Sequence, residues 1–237
     1  MSELIVALDL PDAETALGLV DRLGDDVAWY KVGMQLFTCC GPGLVQELTA
    51  RDKHVFLDLK YHDIPHTVAR AAESAATLGV DMMTLHASGG STMLSAAREA
   101  LGTDGPKLVG VTLLTSFTAA DVEEVWDKQL RSLREEVARL SAVAAEAGLD
   151  GVVASALEVE ALKRKHGPEF IVVTPGIRPE GSLTGDQVRT ATPADAVRAG
   201  SDFLVVGRPI HAADMPEKVV EALLKEMADA LVGTEQE

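Results

Sequence analysis

Short apolar runs alternate with longer segments of helical periodicity along this chain, and the alternation repeats eight times. The apolar runs span residues 4–10, 27–33, 54–60, 81–87, 107–114, 151–155, 170–176 and 202–208. Such alternation is typical of a parallel sheet with helices packed outside it. Eight strand–helix units in 237 residues predict an α/β fold, a single (β/α)8 TIM barrel. A doubly wound open sheet is the alternative, because periodicity does not reveal whether a sheet closes.

The sequence shows no linker, charge block or low-complexity stretch that would divide it. We therefore expect one barrel domain over residues 1–237, with a short frayed tail over about 232–237. The N-terminal "MSELIVALDLPD" lacks a basic region and reads as a first strand rather than a signal peptide. No apolar run approaches the length that spans a membrane.

The formal net charge of −16 limits the partners that this chain can bind. Nucleic acids and anionic membrane surfaces are disfavoured, because both require clustered lysine and arginine. A small anionic substrate stays compatible if one pocket concentrates positive charge. The two cysteines, Cys39 and Cys40, are adjacent and cannot form a disulfide framework, so the sequence predicts a reducing, cytoplasmic location.

Polar residues end most of the predicted strands, at the barrel face that carries the chemistry of this architecture. In chain order these ends are Asp9, Lys31, the pair Asp58 and Lys60, His86 and Thr115, followed by "TPGIR" and "GR". Asp58 and Lys60 are two residues apart on one strand, so both side chains point to one face, with Leu57 and Leu59 on the other. We expect the leucines to pack against helices and the charged pair to point into the barrel mouth.

A buried charge is costly unless it is paired. An alternation of aspartates and lysines, with Lys31 on the adjacent strand, would pair every member and keep the lysines protonated. A Schiff-base lysine needs a depressed pKa, so this array suits a lysine that donates a proton. Simpler readings stay open: a strand-end salt bridge for Asp58 and Lys60, a helix cap before Pro65 for Asp63, and a lone snorkelling charge for Lys31.

A second pattern indicates a phosphate site, which barrels commonly build from the loops after strands seven and eight. "VVGRPIHAAD" places Gly207 and Arg208 there, and "TPGIRPEGSLTGDQVR" adds Arg178, Gln187 and Arg189. Three glycines in the longer loop, Gly176, Gly181 and Gly185, are typical of a lid. The sequence contains no GxGxxG or Walker motif that would predict a nucleotide cofactor. Pro65 separates His62 from His66, which disfavours a helical metal pair.

The stretch "LDLKYHDIPHTV" resembles the D-x-K-x-x-D-I-P-x-T signature of the orotidine 5′-phosphate decarboxylase family. Further blocks resemble the bacterial form in order and spacing: "VALDLPD", "YKVG", "LHASGG", "VTLLTS", "TPGIRP", "GDQVR" and "VVGRPI". The resemblance implies a (β/α)8 barrel that acts as a homodimer. It also implies decarboxylation of orotidine 5′-phosphate to uridine 5′-phosphate, in pyrimidine biosynthesis, with no metal or cofactor.

The resemblance also implies roles for individual residues. Lys60 would donate the proton to C6, Asp58 would lie near the departing carboxylate, and Lys31 would pair with the array and reach the ribose. Asp63 and Thr67 would come from the neighbouring subunit. The remaining substrate contacts would be Asp9 on the ribose, Thr115 at the pyrimidine, and Arg178, Gln187, Gly207 and Arg208 at the phosphate end and lid. Arg189 is left unassigned.

Two other functions compete with this expectation. Related phosphate-binding barrels, such as keto-sugar phosphate decarboxylases and hexulose phosphate synthases, resemble the D-x-K-x-x-D core but use magnesium and lack the "DIPHT" and "GDQ" continuations. A non-catalytic barrel would bind uridine 5′-phosphate without turning over the orotidine substrate. The array of Lys60 with its aspartates argues against the second function, because a binding protein gains little from buried charges.

Overall fold

A closed barrel of eight parallel strands forms the centre of the molecule, in the order β1-β2-β3-β4-β5-β6-β7-β8. The computed structural model describes residues 2–127, 129–179 and 189–234. The strands are β1 (Glu3–Ala7), β2 (Trp29–Gly33), β3 (His54–Tyr61), β4 (Met82–His86), β5 (Lys107–Val111), β6 (Gly151–Val153), β7 (Ile171–Thr174) and β8 (Phe203–Val206). Closure between β1 and β8 confirms the predicted barrel, and the open-sheet alternative is wrong.

Helices follow every strand and cover the outside of the barrel. They are α1 (Ala13–Leu23), α2 (Met34–Cys40), α3 (Pro42–Thr49), α4 (Pro65–Ala76), α5 (Ser91–Leu101), α6 (Ala119–Trp126), α7 (Leu133–Glu146), α8 (Ala156–His166), α9 (Pro193–Arg198), α10 (Arg208–His211) and α11 (Pro216–Thr234). The last helix ends at Thr234, within the tail that the sequence predicts to be frayed from about residue 232. Among the described helices, none is both long and apolar enough to cross a membrane.

The strand residues alternate between two apolar clusters, which sets the direction of every side chain at the strand ends. Val6 and Leu8 point outward and pack with the helices, whereas Ile5 and Ala7 fill the barrel interior. The same alternation continues along β3, where Phe56 is interior and Leu57 is exterior. Residues two positions beyond an interior residue therefore project into the barrel mouth.

Several strands end earlier than the sequence predicts, because the ladder of parallel pairs runs out. The last pair between β1 and β2 joins Ala7 to Lys31, so β1 stops at Ala7 rather than at residue 10. The last pair between β5 and β6 joins Val111 to Val153, so Thr115 lies four residues beyond its strand. The polar residues after these strands thus belong to the loops at the rim of the barrel.

Gly151 gives the barrel its tightest backbone approach among the glycines described, and its substitution should be costly. A Cβ built there would lie 2.1 Å from the carbonyl oxygen of Ile171, its partner on β7. Because backbone cannot yield as a flexible side chain does, we expect Gly151→Ala to lower the free energy of unfolding by about 3 kcal/mol or more. Urea denaturation followed by circular dichroism measures this loss.

Gly18, exposed in the middle of α1, provides the matched control. Nothing lies within 4 Å of a Cβ built there. Alanine favours a helix interior by about 1 kcal/mol over glycine, so Gly18→Ala should raise the stability of the same protein. Equal effects of the two substitutions would contradict the close approach at Gly151.

Candidate active site

A cavity of about 390 Å³ opens at the carboxyl ends of the strands. Its floor is formed by interior residues of the barrel, such as Ala7, Phe56 and Val173. Of the eleven residues that the sequence singles out, eight line this cavity: Asp9, Lys31, Asp58, Lys60, Thr115, Arg178, Gly207 and Arg208. The fold therefore brings together residues from six of the eight strand ends.

Four of these side chains form a continuous chain of alternating charge. The Nζ of Lys60 lies 2.8 Å from each carboxylate oxygen of Asp58. Asp58 Oδ2 lies 3.7 Å from the Nζ of Lys31, which in turn donates a hydrogen bond of 2.9 Å to Asp9 Oδ1. In the order Asp9–Lys31–Asp58–Lys60, each charge faces an opposite one, which offsets the cost of burying Lys31 and Asp58.

Asp58 is the most enclosed carboxylate of this chain of charges, and its surroundings keep it ionised. Burial on its own would raise the pKa of Asp58, but the ammonium groups of Lys31 and Lys60 outweigh it and the pKa is lowered. Thr84, fully buried on β4, adds a hydrogen bond from its hydroxyl to Asp58 Oδ1 at 3.1 Å. The result is a fixed carboxylate beside a fixed ammonium within the cavity.

The backbone at Lys60 departs from regular strand geometry. Its φ of 53° lies in the left-handed region, which side-chain-bearing residues rarely adopt. The pairing of β3 with β4 changes register between Leu57 and Tyr61, and the Lys60 N–H donates to Thr84 Oγ1 at 2.8 Å instead of joining the ladder. Thr84 therefore holds both the backbone of Lys60 and the carboxylate of Asp58.

Two arginines, Arg178 and Arg208, lie close together in the cavity. Arg178 follows β7 and Arg208 follows β8, and both line the cavity. Burial, and then the nearby positive charge of Arg208, lowers the pKa of Arg178. Two guanidinium groups close enough to repel each other suit an anion with several oxygens, and their part of the cavity is called here the anion end. Gly207 lies between this anion end and the ion pairs, with an ideal Cβ position 3.6 Å from Asp9 Oδ2.

Two predicted residues lie elsewhere. Asp63 and Thr67 are exposed, on the turn after β3 and on the first turn of α4, and neither lines the cavity of its own chain. Asp63 Oδ1 accepts a hydrogen bond from the Ile64 N–H at 2.6 Å, but no side chain caps α4. The helix-cap reading of Asp63 is therefore wrong. Gln187, with the lid glycines Gly181 and Gly185, lies outside the described residues.

Two residues near the site are absent from the sequence-based set. Thr84 lies within the apolar run "DMMTLHA". The one sequence feature that could have identified it is a polar hydroxyl inside a strand that is otherwise apolar. His211 follows "GRPI" on α10, and its buried Nε2 has no hydrogen-bond partner among the residues described. That nitrogen lies 3.9 Å from an ideal Cβ position on Gly207. Within the described part of the chain, no group of three or more His, Cys, Asp or Glu residues is arranged to hold a metal ion.

Comparison with known proteins agrees with this architecture. The model of the orotidine 5′-phosphate decarboxylase / HUMPS family matches residues 2–223. Orotidine 5′-phosphate decarboxylase of Legionella pneumophila (strain Corby) is 53% identical over 228 residues, covering 95% of this chain and 99% of the relative. The enzyme of the same name from Vibrio cholerae serotype O1 (strain ATCC 39541) is 49% identical over 224 residues, covering 93% and 96%.

A solved structure gives the same result in three dimensions. The crystal structure of orotidine 5′-phosphate decarboxylase from Lactobacillus acidophilus superposes with a TM-score of 0.85 at 39% sequence identity, covering 96% of this chain and 99% of that one. Sequence and fold thus agree over nearly the full length of both proteins. This chain belongs to the orotidine 5′-phosphate decarboxylase / HUMPS family.

Proposed function

We propose that this protein decarboxylates orotidine 5′-phosphate to uridine 5′-phosphate, a step of pyrimidine biosynthesis, without metal or cofactor. The observation that carries the proposal is the Lys60 ammonium, held at 2.8 Å by both oxygens of Asp58 within the cavity. The similar proteins named above act on this substrate by their names, and their relatedness supports the same activity here.

In the proposed reaction the bond between C6 and the carboxylate carbon breaks, and its electron pair stays on C6. No ring carbonyl is placed to delocalise that pair well, so the protein must stabilise it electrostatically. The fixed charge of Lys60 does so and then transfers a proton to C6, which forms the C6–H bond and leaves a neutral amine. Solvent returns the proton after product release. Asp58 lies beside the departing carboxylate and keeps Lys60 in place.

The remaining residues hold the two ends of the nucleotide. Arg178 and Arg208 bind the phosphate, together with Gly207 and with Gln187, which lies outside the described residues. Asp9 and Lys31 lie between the anion end and Lys60, where the ribose hydroxyls would fall. Thr115, on the rim after β5, faces the pyrimidine.

The direct test follows the loss of orotidine 5′-phosphate absorbance with purified protein in the presence of a chelator. We expect full turnover under these conditions, because Lys60 and not a metal ion stabilises the charge at C6. Activity that disappears on chelation would favour a magnesium-dependent barrel of the same family. Binding of uridine 5′-phosphate with no turnover would identify a non-catalytic protein.

Removal of a phosphate-binding arginine should affect the substrate with a phosphate and not the substrate without one. Arg208→Ala is expected to lower kcat/KM for orotidine 5′-phosphate by roughly a hundredfold, since phosphate binding energy is used at the reacting carbon. The same variant should barely change kcat/KM for orotidine, the nucleoside without phosphate. Arg164→Ala, an exposed arginine on α8 paired with Glu160, is the control and should behave as wild type. Equal losses on both substrates would rule out a phosphate role for Arg208.

We also propose that the protein acts as a homodimer whose active sites are shared. Asp63 and Thr67 are exposed in the single chain, and the adjacent Ile64 leaves 66% of its surface in water. The resemblance of the stretch "LDLKYHDIPHTV" to the family signature supports a contact between subunits at this turn. Asp63 and Thr67 of one subunit would complete the cavity of its partner.

A further inference from the structure

Glu158 and Arg189 form the most completely buried ion pair among the described residues. Arg189 Nη1 donates to Glu158 Oε1 at 2.8 Å, and the two side chains are 9% and 4% exposed, respectively. Glu158 lies in the first turn of α8, and Arg189 lies in the loop between β7 and α9. Neither residue lines the cavity.

This pair is poorly explained as a stabilising contact. Burial raises the pKa of Glu158, even though Arg189 and Arg134 both favour its ionised form. Glu158 Oε2 and Arg189 Nε are also buried without a hydrogen-bond partner in the described structure. Buried ion pairs with incomplete hydrogen bonding are often no more stable than apolar residues of the same size. A role in placing the loop accounts better for the pair.

The loop segment that Arg189 anchors is bonded directly to the anion end of the cavity. The Arg178 N–H donates to the Ala191 carbonyl at 2.9 Å, and the Ala191 N–H donates to the Gly176 carbonyl at 3.4 Å. These bonds form an isolated bridge between Ile177 and Ala191, with Ile177 fully buried. Arg178, one of the two anion-binding arginines, therefore has its backbone fixed by the segment that begins at Arg189.

A weaker contact joins the pair to the other side of the cavity. Arg189 Nη2 lies 3.5 Å from the carbonyl oxygen of Leu114. Leu114 and the adjacent Thr115 both line the cavity. The Arg189 guanidinium thus contacts both α8 and the loop after β5, and its own segment, residues 189–191, pairs with the backbone next to Arg178.

We infer that Glu158 and Arg189 are a positioning pair, which seats residues 189–191 against Gly176–Arg178 and so orients Arg178 toward the substrate phosphate. This inference rests on the proposed function. Because the pair acts chiefly through Arg178, and its contact with Leu114 is weak, its loss should affect the substrate that carries a phosphate far more than the nucleoside. A displacement of about 1 Å at such a group can lower kcat/KM about a hundredfold.

The test compares Arg189→Met and Glu158→Gln with wild type on orotidine 5′-phosphate and on orotidine. We expect each variant to lose roughly ten- to a hundredfold in kcat/KM on the phosphate-bearing substrate and less than about twofold on the nucleoside. The double variant should lose no more than Arg189→Met alone, since both substitutions break one interaction. Arg189→Lys keeps the charge and should recover part of the loss.

Lys163→Met is the matched control, because it removes a partly buried ion pair that lies away from the cavity. Lys163 bonds both oxygens of Asp202 at 2.9 and 2.7 Å, at the opposite end of the barrel. This control should lower the unfolding temperature without any selectivity between the two substrates. If Arg189→Met fails to fold, Glu158→Gln, which keeps the side-chain shape, decides by the same criterion.

The outcomes separate this inference from the proposed function. If wild type fails to turn over orotidine 5′-phosphate, the proposed function is wrong. If wild type is active and the two variants lose activity equally on both substrates, or lose none, the positioning role is overturned. A selective loss on the phosphate-bearing substrate supports it.

Discussion

Lys60→Ala is expected to abolish decarboxylation while the barrel stays folded. One ammonium group both stabilises the charge at C6 and supplies the proton, so no other residue of the cavity replaces it. Loss of a central electrostatic group commonly costs about 3–4 kcal/mol in the transition state, and loss of the proton donor adds to this. The measurement is the turnover number of the purified variant, with uridine 5′-phosphate binding as the check that the cavity survives.

Lys53→Ala is the control for this substitution. Lys53 precedes the same strand at its opposite end, and its Nζ donates to the Gly24 and Val27 carbonyls at 2.7 and 3.2 Å. Its loss should affect stability and leave kcat unchanged. If Lys60→Ala retained more than about a tenth of wild-type turnover, well above the usual effect of removing such a group, Lys60 would not be the proton donor.

Two inactive variants should restore each other if the active sites are shared. In a two-fold dimer of one Lys60→Ala subunit and one Asp63→Ala subunit, one site carries both substitutions and the other carries neither. Random pairing after joint unfolding and refolding should restore about a quarter of wild-type activity per site. The result is read from the activity of the mixture against each variant refolded alone.

A third variant makes this experiment specific. Lys60→Ala mixed with Asp58→Asn should restore nothing, because both residues belong to the cavity of one chain and every site keeps one lesion. Native mass spectrometry shows whether mixed dimers have formed. Mixed dimers of Lys60→Ala and Asp63→Ala that show no activity would mean that each site is built within a single subunit.

The sequence predicts the barrel and much of the cavity because both depend on periodicity. The two-residue spacing of Asp58 and Lys60 fixes their common face, and Leu57 and Leu59 do pack outward as expected. The position of Arg208 follows from its place after the eighth strand. The direction of a side chain on a strand and its position at the strand end are local properties, so the sequence of one segment is enough to predict them.

Contacts between segments are less accessible from the sequence. The hydrogen bond from Lys31 to Asp9 joins the ends of two strands. The sequence predicts a ribose contact for Asp9, but it does not predict that Asp9 pairs with Lys31. The part played by Thr84 depends on the register change between β3 and β4, which no periodic pattern reveals. The burial of Glu158 with Arg189 depends likewise on how a loop folds back on a helix.

The left-handed backbone at Lys60 has a consequence for how this protein changes over generations. A lysine in that conformation costs about 1–3 kcal/mol, which glycine at the same position would largely avoid. A Lys60→Gly protein should therefore be inactive and free of this backbone cost, while Asp58 keeps Lys31 as its remaining ammonium partner. At this position, selection for catalysis and selection for a stable fold therefore favour different residues. A duplicated gene copy that is free of the catalytic requirement would be expected to drift toward glycine or asparagine here, which makes residue 60 a marker for copies that have abandoned the reaction.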